Sequence, residues 1–297
     1  MMIAVIFGTF LLALLIGCPI GIALLLGGGI PILTMTNLDS AIIVQRLFSA
    51  ANNYSLMAVP FFILSGSLMD AGGVSKRLVN FARSLVGWLP GGLAVVSFLA
   101  CAFFGAITGS APATVAAIGS IMIPAMKEDG YPLPFILATV ASGGWLGVIV
   151  PPSIPMVVYG VSVGTVSISE LFLGGIIPGF LLAGGMSVYA VLWGRKNMPH
   201  ATKKFSLREV WTSFKEALWA LGMPLIILGG IYAGIFTATE AAVVSVIYGL
   251  LVSTLVYHQL TLRGLVGMMR KSIITTNVCM FIVLTSTVFA AIMTREQ

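Results

Sequence analysis

Residues 105–160 read GAITGSAPATVAAIGSIMIPAMKEDGYPLPFILATVASGGWLGVIVPPSIPMVVYG. The stretch is apolar enough for a bilayer, yet two places in it interrupt any continuous helix. The first is Thr108-Gly109-Ser110-Ala111-Pro112. The second runs from Gly143-Gly144 through Gly147 to Pro151-Pro152-Ser153. Proline removes a backbone donor and disfavours helix in the residue before it, and glycine weakens what remains. In hydrocarbon each freed amide and carbonyl needs a partner, so broken helix is tolerated at membrane depth only where protein or a water-lined cavity supplies one. Paired interruptions of this kind are the best sequence pointer to an ion and substrate site in a secondary transporter.

The rest of the chain agrees with a membrane setting. Of 297 residues, 59% are hydrophobic and 8% charged, against about 25% charged in soluble domains. Mean hydropathy is +1.09. These values describe an all-α polytopic membrane protein. The net charge of +6 is no nucleic-acid signal, because Lys and Arg cluster in short loops between apolar runs. Cys18, Cys101 and Cys279 lie far apart in apolar runs, without metal-type spacing. His200 and His258 fall in or beside loops, and no HxxxH, GxSxG or P-loop pattern occurs. No enzymatic constellation and no cofactor is expected. Leu15-Ile16-Gly17-Cys18 looks like a lipoprotein cleavage box, but no basic residue precedes it and the apolar run resumes at Pro19, so a first span is expected.

In chain order the sequence predicts spans at 2–16 and 19–35, an interfacial helix over 39–53 with Ile42, Ile43, Leu47 and Phe48 toward lipid, and a span at 56–69. A basic loop covers 70–88. Residues 91–126 form two arms around the first break. A re-entrant hairpin is favoured over two short spans, because small residues crowd the tip and no charge marks an exposed turn. A broken span covers 132–165 and a further span 171–194. A polar, basic loop runs over 195–216. Spans at 217–236 and 239–257, an amphipathic connector with Arg263, Arg270 and Lys271, and a last span at 273–293 complete the chain. With the N-terminus periplasmic, all but Arg46 and Arg295 of the 15 Lys and Arg fall in cytoplasmic loops.

Residues 2–69 and 217–293 share one order: span, break, span, amphipathic segment, span. The two copies start on opposite sides of the membrane, which makes them an inverted repeat. Residues 1–88 would be scaffold helices of the first repeat, 89–168 the transport core, 169–216 a span with its basic loop, and 217–297 the start of a second repeat. That repeat stops before its own hairpin, so roughly a hundred or more residues would be missing by symmetry.

The hairpin tip allows two readings. Small residues suit close helix packing in a membrane. Alternatively, unwound carbonyls with Thr and Ser hydroxyls suit Na⁺, and the helix after the tip points its positive end at an anionic substrate. The second break favours the ion reading, because two unwound backbones meeting at midplane make such a site. Glu240 is the one carboxylate beside a span interior. Thr237-Ala238-Thr239-Glu240 fits a capping box, with an ion or proton role as the alternative. Trp145, between these elements, is expected as an interfacial anchor or core filler.

GSAPATVAAIGSIMIPAM, then ASGGWLGVIVPPSIPMVVYG and LFLGGIIPG, with FTATEAA further on, resemble the large permease subunit of tripartite ATP-independent periplasmic (TRAP) transporters. The resemblance covers essentially the whole chain. It implies an elevator-type fold of the ion transporter superfamily in the bacterial inner membrane, driving Na⁺-coupled uptake of organic anions such as dicarboxylates, sialic acid or sugar acids. It implies two protein partners, a periplasmic substrate-binding protein and a small four-span membrane subunit. Carried over, Na⁺ would be bound at Thr108, Gly109, Gly147, Val150 and Pro151. Substrate would lie near Ser110, Pro112, Pro152 and Ser153. The family often has Ser where Thr108 stands and Gly where Ala111 stands. The second hairpin and second broken helix of the family do not appear before Gln297, so a chain of this extent is expected to be a C-terminally truncated subunit that does not transport alone. Other readings are a binding-protein-independent Na⁺/carboxylate symporter, a channel, and an inactive or assembly subunit.

Overall fold

Glycine and proline punctuate the helices. The computed structural model describes residues 2–36, 39–198 and 205–295, and those residues contain helices and turns but no strand. α1 (Met2–Leu15) ends at Gly17, whose φ of 88° only glycine adopts freely, and α2 (Ile20–Met35) follows Pro19. After α3 (Ala41–Ala51), a 3-10 turn at Tyr54–Met57 leads into α4 (Ala58–Ala71). Next come α5 (Val74–Val86), α6 (Gly92–Thr108), α7 (Ala111–Glu128), α8 (Leu133–Gly144), the single turn α9 (Leu146–Ile149) and α10 (Ile154–Val163). α11 (Ile168–Asn197), α12 (Leu207–Tyr232), α13 (Ala238–Leu251) with a π-turn at Val252–Val256, and α14 (Leu262–Arg295) complete the chain.

Five helices are long and apolar enough to cross a membrane, and α8–α9 with α10 make a sixth crossing if that pair, bent by 43°, is one span. The protein is a multi-pass membrane protein. α1 and α2 have only 14 and 16 residues, which is about 21 and 24 Å of helix against a hydrocarbon core of about 30 Å.

Two compact units form. One comprises the described residues up to Met57 and from Ile273 onward; the other is Ala58–Ser272. In the first, Met2, Ile6, Ile32, Val288 and Ile292 make a buried cluster. Ile42, Ile43 and Leu47 of α3 pack on that cluster. Only Phe48 of the predicted lipid-facing set stays out, 72% exposed. The amphipathic face is therefore spent mostly on protein, because an apolar cluster lies within reach of it. Gly28 lets α2 meet α14 backbone to backbone: a Cβ there would stand 3.0 Å from the Phe289 backbone.

In the second unit, the expected basic loop at 70–88 is instead largely helical. Val74, Leu78, Phe81 and Ala82 are buried at i, i+4, i+7 and i+8, while Lys76, Asn80 and Arg83 point outward. The polar loop after α11 is likewise shorter than expected, since α11 runs to Asn197 and α12 starts at Leu207. His200, Lys203 and Lys204 lie outside the described residues. The predicted connector with Arg263, Arg270 and Lys271 and the last span form one helix, α14, because nothing between them breaks it. The first copy of the sequence echo separates these parts at Asn52-Asn53; the second fuses them.

α4 and α13 lie side by side. Ser253 Oγ donates to Leu68 O at 2.9 Å, and the Arg77 guanidinium donates to Gly72 O and Gly73 O while stacking 3.7 Å from the Tyr257 ring centre. A stack of Phe135 on Trp193 (3.7 Å between centres, 12° between planes) ties the start of α8 to the end of α11. α6, buried along nearly its whole length, packs against this frame.

Candidate functional site

The two sequence breaks meet. α6 ends at Thr108, Gly109 turns the chain with φ 62°, and its amide donates to Gly105 O at 2.8 Å. Ser110 is extended (φ −134°, ψ 121°) and α7 starts behind it with Pro112 in its first turn. At the second break the chain is extended from Val150, the Pro151–Pro152 bond is cis, and Ser153 (φ −131°, ψ 128°) precedes α10 with Pro155 in its first turn. Ser-x-Pro thus starts a helix at both places with nearly the same backbone. Neither serine caps its helix through its side chain.

Backbone contacts lock the breaks together. Ile154 N donates to Gly109 O at 3.1 Å, which satisfies one of the free donors of α10. A Cβ on Gly109 would stand 2.8 Å from Pro152 O, and one on Gly105 would stand 2.5 Å from Gly147 Cα. Gly66 of α4 backs the tip, 3.0 Å from Thr108 Cα by the same measure.

Two hydroxyls face each other at this junction. Thr108 is 4% exposed and Thr114 fully buried. Thr108 Oγ1 donates to Phe104 O at 3.2 Å, and Thr114 Oγ1 donates to Ser110 O at 2.8 Å. The two hydroxyl oxygens also lie 3.4 Å from each other, a hydrogen bond in which either can be the donor. The Cβ position of Gly147 abuts Thr114 Oγ1 and lies 3.0 Å from Ser110 O. Ser153 Oγ is buried with no hydrogen-bond partner among the described residues, an arrangement that costs about 1–3 kcal/mol unless something else binds it. No group of three or more His, Cys, Asp or Glu side chains that could hold a metal occurs among the described residues. The junction is built of neutral oxygens and helix dipoles.

Of the residues singled out in the sequence, Thr108, Gly109, Ser110, Gly147, Pro152 and Ser153 are gathered here. Pro151 is buried in the same break. Val150 turns to α11, its Cγ2 3.0 Å from the Cβ position on Gly179, and Pro112 is exposed. Trp145, at 63% exposure, stands on the surface rather than in the core. Sequence reasoning missed Thr114, Gly105 and Gly66. A threonine one turn into α7, on the face of its cap residue Ser110, was the available signal for the first.

Glu240 belongs to a capping box. Its carboxylate accepts from Thr237 N and Thr237 Oγ1, both at 2.8 Å, and its own amide donates to Thr237 Oγ1 at 3.3 Å. Thr237→Ala is expected to lower stability by about 1 kcal/mol, read as a melting shift in detergent, with transport per folded molecule unchanged. A selective loss of activity at normal stability would restore an ion or proton role to this box.

The family described as the DctM component of the tripartite ATP-independent periplasmic transporter matches residues 7–297. The C4-dicarboxylate TRAP transporter large permease protein DctM of Rhodobacter capsulatus is 39% identical over 305 residues, which cover 98% of this chain and 69% of that protein. The 2,3-diketo-L-gulonate TRAP transporter large permease protein YiaN of Escherichia coli is 39% identical over 300 residues, 100% of this chain and 70% of that protein. The isethionate TRAP transporter permease protein DctMQ of Oleidesulfovibrio alaskensis is 42% identical over 298 residues, 99% of this chain but 46% of that protein. The chain therefore spans between about half and 70% of these relatives' lengths. All three are named as transporter permeases rather than enzymes. Over essentially its whole length, from the hairpin tip to the broken helix and beyond, this chain belongs to the DctM component family of tripartite ATP-independent periplasmic transporters.

Proposed function

We propose that the protein is the large permease of a TRAP transporter in the inner membrane, which takes up an organic anion coupled to Na⁺. The observation that carries the reading is the pair of buried Thr108 and Thr114 oxygens, 3.4 Å apart where two unwound backbones touch. Hard cations bind oxygens at about 2.3–2.6 Å, and two such ligands at right angles sit roughly 3.4 Å apart. The neutral donor set suits a monovalent ion, and Thr108, Gly109 and the Gly147–Pro151 backbone are its ligand candidates. The positive ends of α7 and α10 suit an anion beside Ser110, Pro112, Pro152 and Ser153. C4-dicarboxylate, diketogulonate and isethionate, the compounds in the relatives' names, are all anions. In this reading a periplasmic binding protein delivers the substrate, a small membrane subunit braces the scaffold, and α6–α10 move together as an elevator within an inverted-repeat fold.

The test is uptake. The full-length protein is reconstituted in liposomes with its small subunit, and substrate-loaded binding protein is added outside. An inward Na⁺ gradient is expected to drive accumulation of labelled anion, and an equal K⁺ gradient is not. Equal uptake in both salts rejects the coupling, and Na⁺-driven uptake without the binding protein rejects the tripartite assignment.

A further inference from the structure

A cavity that shares no lining residue with the helix breaks lies between α5 and the first turns of α12. It measures about 520 Å³ and is lined by Asn80, Arg83, Ser206, Arg208, Glu209 and Ser213 among others. Arg83 and Arg208 are exposed, and neither makes an ion pair or a side-chain hydrogen bond among the described residues. With Glu209 they give the lining one net positive charge, the complement of a phosphodiester. Among the described residues, Asn80 and Ser213 likewise leave their side-chain donors unused.

Trp88, Phe205 and Trp211 are 42%, 50% and 60% exposed beside the cavity, and Trp88 packs edge-on against Phe205. Exposed aromatics of this kind sit at headgroup depth. α12 stays polar as far as Lys215 and Glu216, about two turns past Arg208, and is apolar from Ala217 onward. On the face that carries Arg208 and Thr212, the exposed Lys215 comes next, and beyond it stand Trp219 and Ile226, 48% and 37% exposed. They lie three and five turns further along the helix. A soluble phosphate compound has no use for that apolar track, whereas an acyl chain does.

We propose that this cavity binds the headgroup of an anionic phospholipid of the phosphatidylglycerol type. The phosphodiester lies between Arg83 and Arg208, the headgroup hydroxyls meet Asn80 and Ser213, and an acyl chain runs down Trp219 and Ile226. Basic pockets between membrane helices bind anionic headgroups by the same chemistry.

The experiment is native mass spectrometry of the purified full-length protein titrated with phosphatidylglycerol, phosphatidylcholine or inorganic phosphate. Phosphatidylglycerol is expected to bind about tenfold tighter than phosphatidylcholine, since each arginine near a headgroup contributes about 1 kcal/mol. Arg83→Gln with Arg208→Gln should bring the ratio to about one. Glu209→Gln, which removes the opposing charge, should tighten phosphatidylglycerol binding by about threefold. Equal binding of the two lipids by the unaltered protein, or a ratio unchanged in the double variant, overturns the proposal. Displacement of the lipid by millimolar inorganic phosphate assigns the cavity to a soluble phosphate and overturns it equally. If the double variant does not fold, Glu209→Gln decides, because unchanged or weaker phosphatidylglycerol binding rejects the site.

Discussion

Gly105→Ala is expected to abolish coupled uptake while leaving the protein in the membrane. The added methyl would stand 2.5 Å from Gly147 Cα, 2.9 Å from Gly147 N and 3.1 Å from Leu146 O. All three are backbone atoms, so no side chain can rotate aside. Ordinary carbon contacts need about 3.5–4.0 Å, and α6 must therefore retreat from α9 by about 1 Å. That retreat separates the hairpin from the broken helix. It pulls Gly109 O from Ile154 N and spreads the threonine pair from its Gly147 wall. Overpacking of this type costs about 1–3 kcal/mol, which a bundle of this size tolerates. A shift of about 1 Å at a working site, by contrast, costs rates on the order of 100-fold. Initial uptake rate, normalised to the amount of folded protein, is the measurement. Gly174→Ala is the control, since nothing lies within 4 Å of its Cβ position, and it should transport normally. Uptake by the Gly105 variant within twofold of the unaltered protein, about 0.4 kcal/mol, would show that the two breaks need not touch.

Thr108→Val and Thr114→Val should each raise the Na⁺ concentration for half-maximal uptake at least about tenfold, a loss of about 1.4 kcal/mol. Valine keeps the shape and β-branching of threonine and removes only the oxygen. Each hydroxyl can also donate to a carbonyl one turn back, so each substitution also forfeits about 1 kcal/mol of hydrogen bonding. Serine variants separate the two effects, because they keep the oxygen and should restore Na⁺ affinity. The double valine variant should fall short of the sum of the single losses, as expected when two groups share one ion. A Na⁺ dependence unmoved by either valine would sink the threonine pair as a ligand site, whatever happened to stability.

The sequence by itself determined the membrane class, the helix breaks and the capping box at Thr237–Glu240. These are local effects: proline and glycine act on their own backbone, a cap reaches three residues, and apolar composition needs no partner. Local reading failed where a segment's polarity misrepresented its packing. Lys76, Arg77 and Arg83 made 70–88 look like a loop, although Val74, Leu78, Phe81 and Ala82 already repeat with a helical period. The amphipathic face of α3 states that it must be buried, not against what; Met2, Ile6 and Ile32 decide that it meets protein rather than lipid. At the site, Thr108, Gly109 and Ser153 were legible because they sit in the breaks. Thr114 was not, because inside α7 it is one more β-branched residue of a helix. It becomes part of the junction only where the bare backbone of Gly147 lies against its hydroxyl and Gly105 admits that backbone. Which two unwound segments touch, and which oxygens they leave facing one another, depends on close approach between residues far apart in sequence, and tertiary packing alone brings them there.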